Sequence, residues 1–261
     1  MDVIQMNKFA EMHNGSDIIF CKHWGKEYLT DRFREISALQ NDVVFITGNS
    51  DYCITDDIAE EASPNIKKWF CQNRLSKNPL LESIPLGIEN HIDCVVEGDG
   101  EGWSHAVEKY EILSNPPSQP PTKFIYGNFS PWTSMPGGFR PRLREMVTHS
   151  PFMTWSEPNL TYVQFVNEIL DHEAVLCPQG NGPGDNHRIY ETLYLNRIPI
   201  TFSKAQNDFL HNKFPTVLVE SSEQLEDEKW LIHQIANAKL ALNKKFLDFS
   251  YWKNLIMEYA A

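Results

Sequence analysis

The sequence predicts an α/β protein built from two Rossmann-like domains, and three observations support this fold class. Short β-rich runs alternate with helical patterns along the chain, which is typical of strands and helices that form a parallel sheet. A proline-rich stretch, residues 114–121, divides the chain, and its four prolines within six residues cannot continue a helix or a central strand. The length of 261 residues also suits two domains of about 100–150 residues each.

The first predicted domain comprises residues 1–114. Its strands are predicted over residues 17–21, 42–47, 66–72 and 84–88, and its helices over residues 26–39 and 103–113. The second strand, DVVFIT, runs into a turn, Gly48-Asn49-Ser50-Asp51, which places a carboxylate at the end of that strand.

The second predicted domain comprises residues 122–248 and repeats the alternation. Its strands are predicted over residues 123–129, 152–155, 174–177, 198–202 and 216–219, and its helices over 141–149, from 161, over 187–197 and from 221 to about 242. Thr161 with Gln164 forms a capping box, and Ser221 with Gln224 caps the long helix in the same way. We expect a last helix, at about residues 249–261, to pack back on the first domain.

Composition excludes several classes of protein. The formal net charge is −12 and no basic face is visible, which argues against binding to nucleic acid or to anionic membranes. The five cysteines form no C-x-x-C pair, so we expect a reducing compartment. No transmembrane segment is expected, because no stretch approaches 18 apolar residues. The N-terminus lacks the apolar run of a signal peptide, and we therefore expect a cytoplasmic protein.

Residues 174–200 form the segment richest in chemical signals. A buried strand leads into the loop Gly180-Asn181-Gly182-Pro183-Gly184, then a helix, then the strand Ile198-Pro199-Ile200. In open α/β sheets, ligands bind beyond the carboxyl ends of strands, which is where this loop lies. Its glycines let the backbone approach a ligand closely, although such a loop also fits an ordinary turn. Asp185 or Asn186 can cap the next helix, whose N-terminal amides suit a diphosphate.

Arg188 and Glu191 lie one turn apart on nearly the same face of this predicted helix. An arginine in the first turn opposes the helix dipole by about 0.3–1 kcal/mol, and a bound diphosphate would reverse that sign. The Glu191 carboxylate would be placed to accept hydrogen bonds from both hydroxyls of a ribose. The same spacing also fits a plain ion pair worth about 0.2–0.5 kcal/mol.

Two other phosphate-binding motifs do not fit this segment. The chain has no G-x-x-x-x-G-K-[ST], which argues against a P-loop. The spacing Gly180-x-Gly182-x-Gly184 is not G-x-G-x-x-G, and no acidic residue ends a following strand near Phe202. A dinucleotide-binding oxidoreductase is therefore only a weak alternative.

The run VLCPQGNGPGDNHRIYETLYLNRIPI resembles the C-terminal signature of exostosin-like glycosyltransferases. The shared features are Pro178-Gln179-Gly180, Arg188 near the helix start, Glu191 three residues later, and Ile198-Pro199-Ile200. They cover about 30 residues. Weaker similarity extends to residues 124–130 and to a helix with Arg140, Arg142 and Arg144, whereas the first half resembles the family only in layout.

The resemblance implies a GT-B-like fold, with two Rossmann-like domains facing a central cleft, and inverting transfer from a UDP-sugar to a glycan acceptor. It makes residues 1–114 the acceptor-binding domain and residues 122–248 the nucleotide-sugar-binding domain, in a compact member such as viruses or microbes have. The expected donor-binding residues are Asn128, Ser130, Arg140, Gly180, Gly182, Asp185, Asn186, His187, Arg188 and Glu191. A small donor sugar, such as xylose, is expected from the short loop.

Metal-dependent glycosyl transfer needs an acidic motif after an apolar strand, and the acidic clusters of this chain do not follow one. The clusters are Asp56-Asp57, Asp171-His172-Glu173 and Glu226-Asp227-Glu228. We therefore expect neither a metal nor another cofactor, with helix amides and an arginine stabilising the leaving diphosphate.

An inverting transfer also needs a general base for the acceptor hydroxyl. Asp51 at the end of the second strand is the first candidate, although it also fits a residue that caps the following turn. His23, Glu89 and His91 follow other strands of the first half and are the further candidates for acceptor binding. The tryptophans at 24, 132 and 155 fit either stacking on a ligand or core packing.

The main alternative is a non-catalytic nucleotide- or sugar-binding protein on the same fold, because the fold alone does not fix the function.

Overall fold

A computed structural model describes residues 1–90, 105–132, 139–180, 182, 185–202, 207–241 and 243–261. In chain order, the described elements are α1 (Met6–Ala10), β1 (Ile18–Lys22), α2 (Lys26–Ser37), β2 (Val43–Gly48), α3 (Asp56–Ala59), β3 (Ile66–Cys71), β4 (Leu81–Ser83), α4 (Ala106–Ser114), β5 (Lys123–Gly127), α5 (Phe139–His149), β6 (Met153–Trp155), α6 (Tyr162–Asp171), β7 (His172–Leu176), α7 (His187–Tyr194), β8 (Ile198–Thr201), α8 (Asn207–Lys213), β9 (Val217–Leu218), α9 (Ser222–Glu226), α10 (Glu228–Leu240), a 3₁₀ helix (Lys244–Leu247) and α11 (Phe249–Ala260).

The chain divides into two compact units. The first unit contains Asp2–Ala106 together with Asp248–Ala261, and the second contains Val107–Leu247 together with Met1. Helix α4 therefore groups with the second unit, although the sequence places its residues before the proline-rich stretch. Lys109 on α4 forms an ion pair with Glu191 of α7, a contact that sequence spacing does not reveal.

The first unit has a parallel sheet in the order β1-β2-β3-β4. Every residue of β2 is buried, as expected for a strand covered on both faces. On one face, Phe33 of α2 packs against the rings of Phe45 and Trp69. Helix α1 contacts β1 and β2, and helix α11 contacts β2 and β3. Phe9 of α1 packs edge-on against Phe249 of α11, at 5.0 Å between ring centroids.

The second unit has a parallel sheet in the order β6-β5-β7-β8-β9. Numbered within this unit, the order is 2-1-3-4-5, which is one of the two common doubly wound orders. In the sheet, β6 lies on one side of β5, and β7, the next strand in the chain, lies on the other side. The gap between the carboxyl ends of β5 and β7 is therefore a topological switch point, where α/β proteins bind their ligands.

The structure confirms the predicted fold class, since both units are α/β with parallel sheets. The predicted strand over 84–88 is wrong, because β4 is formed by Leu81–Ser83, whereas Gly87 and Ile88 take part in isolated bridges to Gln5. The predicted single helix from 221 to 242 is also wrong. It breaks at Asp227, whose side chain accepts the backbone N–H of Trp230 at 3.0 Å and begins α10.

Helices α1 and α3 were not predicted from the sequence, because runs of five and four residues are too short for a visible period. No helix in the part of the chain that the structure describes is both long and apolar enough to cross a lipid bilayer.

Candidate functional site

The loop after β7 and the start of α7 are joined by one asparagine. Asn186 is the N-cap of α7, and its side-chain oxygen accepts the backbone N–H of Ile189 at 3.3 Å. Its amide nitrogen donates to the carbonyl of Pro178 at 3.2 Å. Of the two residues that the sequence offered as the cap, Asn186 takes this role, and it also ties the helix to the loop.

The neighbouring candidates are placed around this cap. Asp185 is buried, and its carboxylate accepts the hydroxyl of Tyr190 at 2.5 Å. His187 is half-buried at the first position of α7. The carbonyl of Gly182 accepts the side-chain amide of Gln179 at 2.9 Å, and a Cβ at Gly180 would meet no atom within 4 Å. The loop residues Asn181, Pro183 and Gly184 lie outside the described residues.

Two cations hold the carboxylate of Glu191. The Nε of Arg188 lies 3.2 Å from one carboxylate oxygen, and the Nζ of Lys109 lies 2.8 Å from the other. The Glu191 side chain is only 2% exposed, so these two ion pairs are screened little by water. Arg188 also donates from Nη1 to the carbonyl of Asn128, directly after β5.

Both cations also lie against aromatic rings of α6. The Arg188 guanidinium lies 4.2 Å from the ring centroid of Phe165, and the Lys109 ammonium lies 5.4 Å from that of Tyr162. Both distances are within the range of cation–π attraction. Lys109, Arg188 and Glu191 therefore form one connected group, called the cation cluster below.

Arg188 keeps hydrogen-bonding capacity beyond these contacts. Its partners among the described residues use two of the five guanidinium N–H donors. The side chain is 27% exposed, so the remaining donors can reach a ligand in solution. A guanidinium with open donors in a fixed orientation suits the planar, two-point recognition of a phosphate.

Arg140 clamps two loops together. From α5 it donates to the carbonyl of Ser130 at 3.0 Å, of Pro178 at 3.2 Å and of Gln179 at 2.8 Å. Its side chain is buried, and burial together with the nearby Arg188 guanidinium lowers the pKa of Arg140. The Arg140 guanidinium thus donates to backbone carbonyls, and its contact with a diphosphate stays a prediction.

The side chains of Asn128 and Ser130 also form hydrogen bonds with backbone groups. The buried Asn128 side chain donates to the carbonyls of Ser156 and Glu157, at 3.2 and 3.1 Å. Ser130 is exposed, and its hydroxyl accepts the backbone N–H of Trp132 at 3.3 Å. These contacts fix the path of the chain after β5.

Three cationic side chains lie close to one another in this acidic chain. Arg188 and Lys109 share the carboxylate of Glu191, and the Arg188 guanidinium is near enough to Arg140 to lower the pKa of Arg140. The arrangement lies at the switch point between β5 and β7, beside the N-terminus of an eight-residue helix. Such a position is suited to an anion, and above all to a phosphate.

Lys109 is the functional candidate that sequence reasoning missed. It lies on α4, before the proline-rich stretch, and belongs to no motif. Its ion pair with Glu191 and its contact with the Tyr162 ring connect it to the site.

Asp51 and His23, two candidates of the first unit, lie at the carboxyl edge of its sheet. Asp51 is exposed in the turn after β2, and His23 follows β1. His23 is 1% exposed, and burial lowers its pKa to about 4. The Glu89 backbone carbonyl accepts the side-chain amide of Gln5 at 2.6 Å. His91 lies outside the described residues.

The three tryptophans have different surroundings. Trp24 is 62% exposed and Trp132 is 84% exposed. Trp155 is partly buried, and its ring packs edge-on against Phe129 at 4.9 Å between centroids. Core packing therefore accounts for Trp155 alone.

No protein-family model matches the chain, and the search of curated proteins finds no match. Among solved structures, the chain is similar to the crystal structure of an α1,3-fucosyltransferase, with 12% sequence identity and a TM-score of 0.40. The match covers 94% of this chain and 69% of the fucosyltransferase chain. A similarity at this level does not identify the activity of the chain.

Proposed function

We propose that the protein is a glycosyltransferase whose second unit binds a nucleoside diphosphate sugar at the cation cluster. The observation that carries this proposal is the position of Arg188 at the switch point of a parallel sheet. Glu191 and the Asn128 carbonyl hold Arg188, and the described residues leave three of its five donors unused. A diphosphate supplies the negative charge that this arrangement lacks.

Arg188 is proposed to donate to the diphosphate, and the N-terminal amides of α7 to add to its binding. Each charge-assisted hydrogen bond contributes roughly 1.5–3 kcal/mol. These contacts strengthen as negative charge grows on the leaving diphosphate, so they stabilise the transition state more than the ground state.

Glu191 is proposed to position the two cations. The sequence suggested direct hydrogen bonds from Glu191 to ribose, but its carboxylate is buried and shared between Arg188 and Lys109. Removing a partner from such a buried group leaves an uncompensated charge, which costs about 3–5 kcal/mol. A neutral residue at 191 would therefore disturb the orientation of Arg188 as well as the stability of the unit.

Asp51 is proposed as the general base of an inverting, metal-independent transfer. Its carboxylate takes the proton of an acceptor hydroxyl while that oxygen forms a bond to the anomeric carbon of the donor. The bond from that carbon to the diphosphate breaks, and the nucleoside diphosphate leaves with the electron pair. UDP is the proposed nucleotide, xylose the first donor sugar to try, and a glycan the acceptor.

Calorimetric titration with UDP and with GDP, in EDTA, tests the donor site. We expect micromolar binding of UDP by the wild type and at least about tenfold weaker binding by Arg188→Ala, since tenfold corresponds to about 1.4 kcal/mol. Arg188→Lys keeps the charge but loses the planar fork, and we expect only partial recovery. Arg142→Ala, an exposed change on α5, is the matched control and should bind as the wild type does.

The outcomes separate the possible functions. Failure of the wild type to bind either nucleotide would remove the donor site. Tighter binding of GDP would keep the site and change the proposed donor. An Asp51→Asn variant that binds UDP but loses turnover supports catalysis. If the wild type binds UDP and a sugar but turns over no UDP-sugar in a panel, the protein is instead a non-catalytic binding protein.

A further inference from the structure

Two exposed aromatic side chains lie at the carboxyl edge of the first unit's sheet. Trp24 comes two residues after β1 and is 62% exposed, and Tyr52 comes four residues after β2 and is 50% exposed. The strands end together, because Lys22 of β1 is in register with Gly48 of β2. Trp24 and Tyr52 are called the aromatic platform below.

The backbone holds the platform in place. Gly25 has a φ of +111°, and the Tyr52 ring lies 3.5 Å from the position that a Cβ of Gly25 would occupy. Any other residue at 25 would be strained by this φ, and its Cβ would lie in ordinary van der Waals contact with the ring. The backbone N–H of Tyr52 donates to the Ser50 hydroxyl at 3.1 Å, which fixes the turn that carries the ring.

Polar groups surround the platform. The Lys22 ammonium lies 4.8 Å from the ring centroid of Trp24, and the carboxylate of Asp51 is exposed beside Tyr52 in the chain. The His23 ring lies 6.3 Å from the Tyr52 ring, and its Nδ1 has no hydrogen-bond partner among the described residues although the side chain is buried.

The chemistry of the aromatic platform favours a sugar over a protein partner. A pyranose ring has a face of C–H bonds that packs on an aromatic ring and an edge of hydroxyls that need polar partners, and the platform offers both. A protein partner fits less well, because two rings expose far less than the roughly 800 Å² that each partner buries in a standard interface. The carboxyl edge of a parallel sheet is also where α/β proteins bind their ligands.

We propose that Trp24 and Tyr52 form a binding site for a pyranose sugar, stacked on the rings and hydrogen-bonded by the groups around them. Sugar binding at the platform does not depend on donor binding. We further infer that the bound sugar is the acceptor of the transfer, and this part of the proposal rests on the proposed function.

Saturation-transfer NMR on the 261-residue chain tests the platform, with the methyl β-glycosides of glucose, galactose, N-acetylglucosamine and xylose as probes. We expect at least one probe to receive saturation, strongest at the ring C–H protons. Trp24→Ala and Tyr52→Ala should weaken that binding about tenfold or more, the loss of about 1.4 kcal/mol of stacking. Trp24→Phe keeps an aromatic ring and should recover part of it.

Tyr259→Ala is the matched control, since Tyr259 is an exposed aromatic residue of the same unit on α11. It should bind the sugars as the wild type does. No saturation of any probe would overturn the proposal, and so would binding that both platform variants retain. Self-association that Trp24→Ala abolishes, without sugar binding, would show that the rings serve a second copy of the chain and would also overturn it.

UDP titration of the same variants separates this proposal from the proposed function. Sugar binding without UDP binding would support the aromatic platform and contradict the proposed transferase. UDP binding without sugar binding would support the donor site and contradict the platform.

Discussion

At the scale of single residues, Glu191 and Arg188 show how burial changes the role of a side chain. On the surface an i,i+3 ion pair contributes about 0.2–0.5 kcal/mol. Here the carboxylate is buried between two cations, and Arg188 also bonds to the chain after β5. The pair therefore fixes the direction in which Arg188 presents its open donors.

Gly180 gives a test of close approach between the loop and a ligand. A Cβ at this position meets no atom of the described residues within 4 Å, and Gly180 is not among the described glycines with a left-handed φ. Gly180→Ala should thus keep or raise stability, by up to about 1 kcal/mol. If the backbone lies against the diphosphate, the new methyl group weakens UDP binding about tenfold, a change of about 1.4 kcal/mol.

Thermal unfolding and UDP calorimetry of the Gly180→Ala variant check this expectation. The wild type and an alanine change at exposed Arg142 are the references. Unchanged UDP affinity in a stable variant would show that the loop does not touch the nucleotide.

The buried His23 side chain is expected to make the free energy of unfolding of the first unit depend on pH. Burial lowers its pKa to about 4, whereas the ordinary value is 6.5. Between these values the unfolded chain binds a proton that the folded chain excludes, so the free energy of unfolding falls as the pH drops from 6.5 to 4. The loss through this one group is about 3 kcal/mol, since one pKa unit corresponds to 1.36 kcal/mol.

Urea unfolding at several pH values measures this effect. His23→Gln should flatten the loss of stability between pH 6.5 and 4, while His149→Gln, at an exposed position, should leave it in place. Identical pH slopes for the wild type and His23→Gln would contradict the prediction.

At the scale of elements, helix caps connect local sequence to the site. Asn186 caps α7 and also holds Pro178, so it joins the helix that carries Arg188 to the loop after β7. Asp227 caps α10 with a similar bond, to the backbone N–H of Trp230. The two caps have the same chemistry, but only Asn186 lies beside the cation cluster.

Replacing each cap with alanine separates stability from ligand binding. Asn186→Ala and Asp227→Ala should each lower the free energy of unfolding by about 1 kcal/mol, because each leaves a helix N–H without its partner. Only Asn186→Ala should also weaken UDP binding. Denaturant unfolding and calorimetry on both variants check this, and equal UDP affinities would show that the Asn186 link does not matter to the site.

At the scale of the whole molecule, the two units have separate hydrophobic cores. Trp252 of α11 is fully buried in the first unit, and Leu231 of α10 is fully buried in the core of the second. The segment that completes the first unit thus comes from the far end of the chain. Two cores of this kind allow unfolding in more than one step.

Core substitutions test whether the units unfold separately. Trp252→Ala should destabilise the first unit by about 3–5 kcal/mol, and Leu231→Ala the second by about 2–5 kcal/mol. Calorimetric scans should show two transitions, with each variant lowering a different one. Saturating UDP should raise the transition that Leu231→Ala lowers, by mass action on the folded second unit. Equal shifts of a single transition by both variants would show one cooperative unit.

The sequence by itself determined the features that depend on near neighbours. Apolar runs and turn residues located most strands, and the capping box of Thr161 and Gln164 is present as predicted. The α/β class follows from the alternation of these elements. These features could be predicted because periodicity and cap chemistry act within a few residues. The break at Asp227 was missed because a capping aspartate inside a helical pattern is not distinctive.

The tertiary structure alone decided which distant residues meet. Lys109 reaches Glu191 from another helix, and Arg140 gives its guanidinium to backbone carbonyls of two loops. The order of the strands, which places the candidate site at a switch point, is equally invisible in the linear pattern. The physical reason is that burial and pairing of charges depend on which faces pack together, and packing joins residues far apart in the chain.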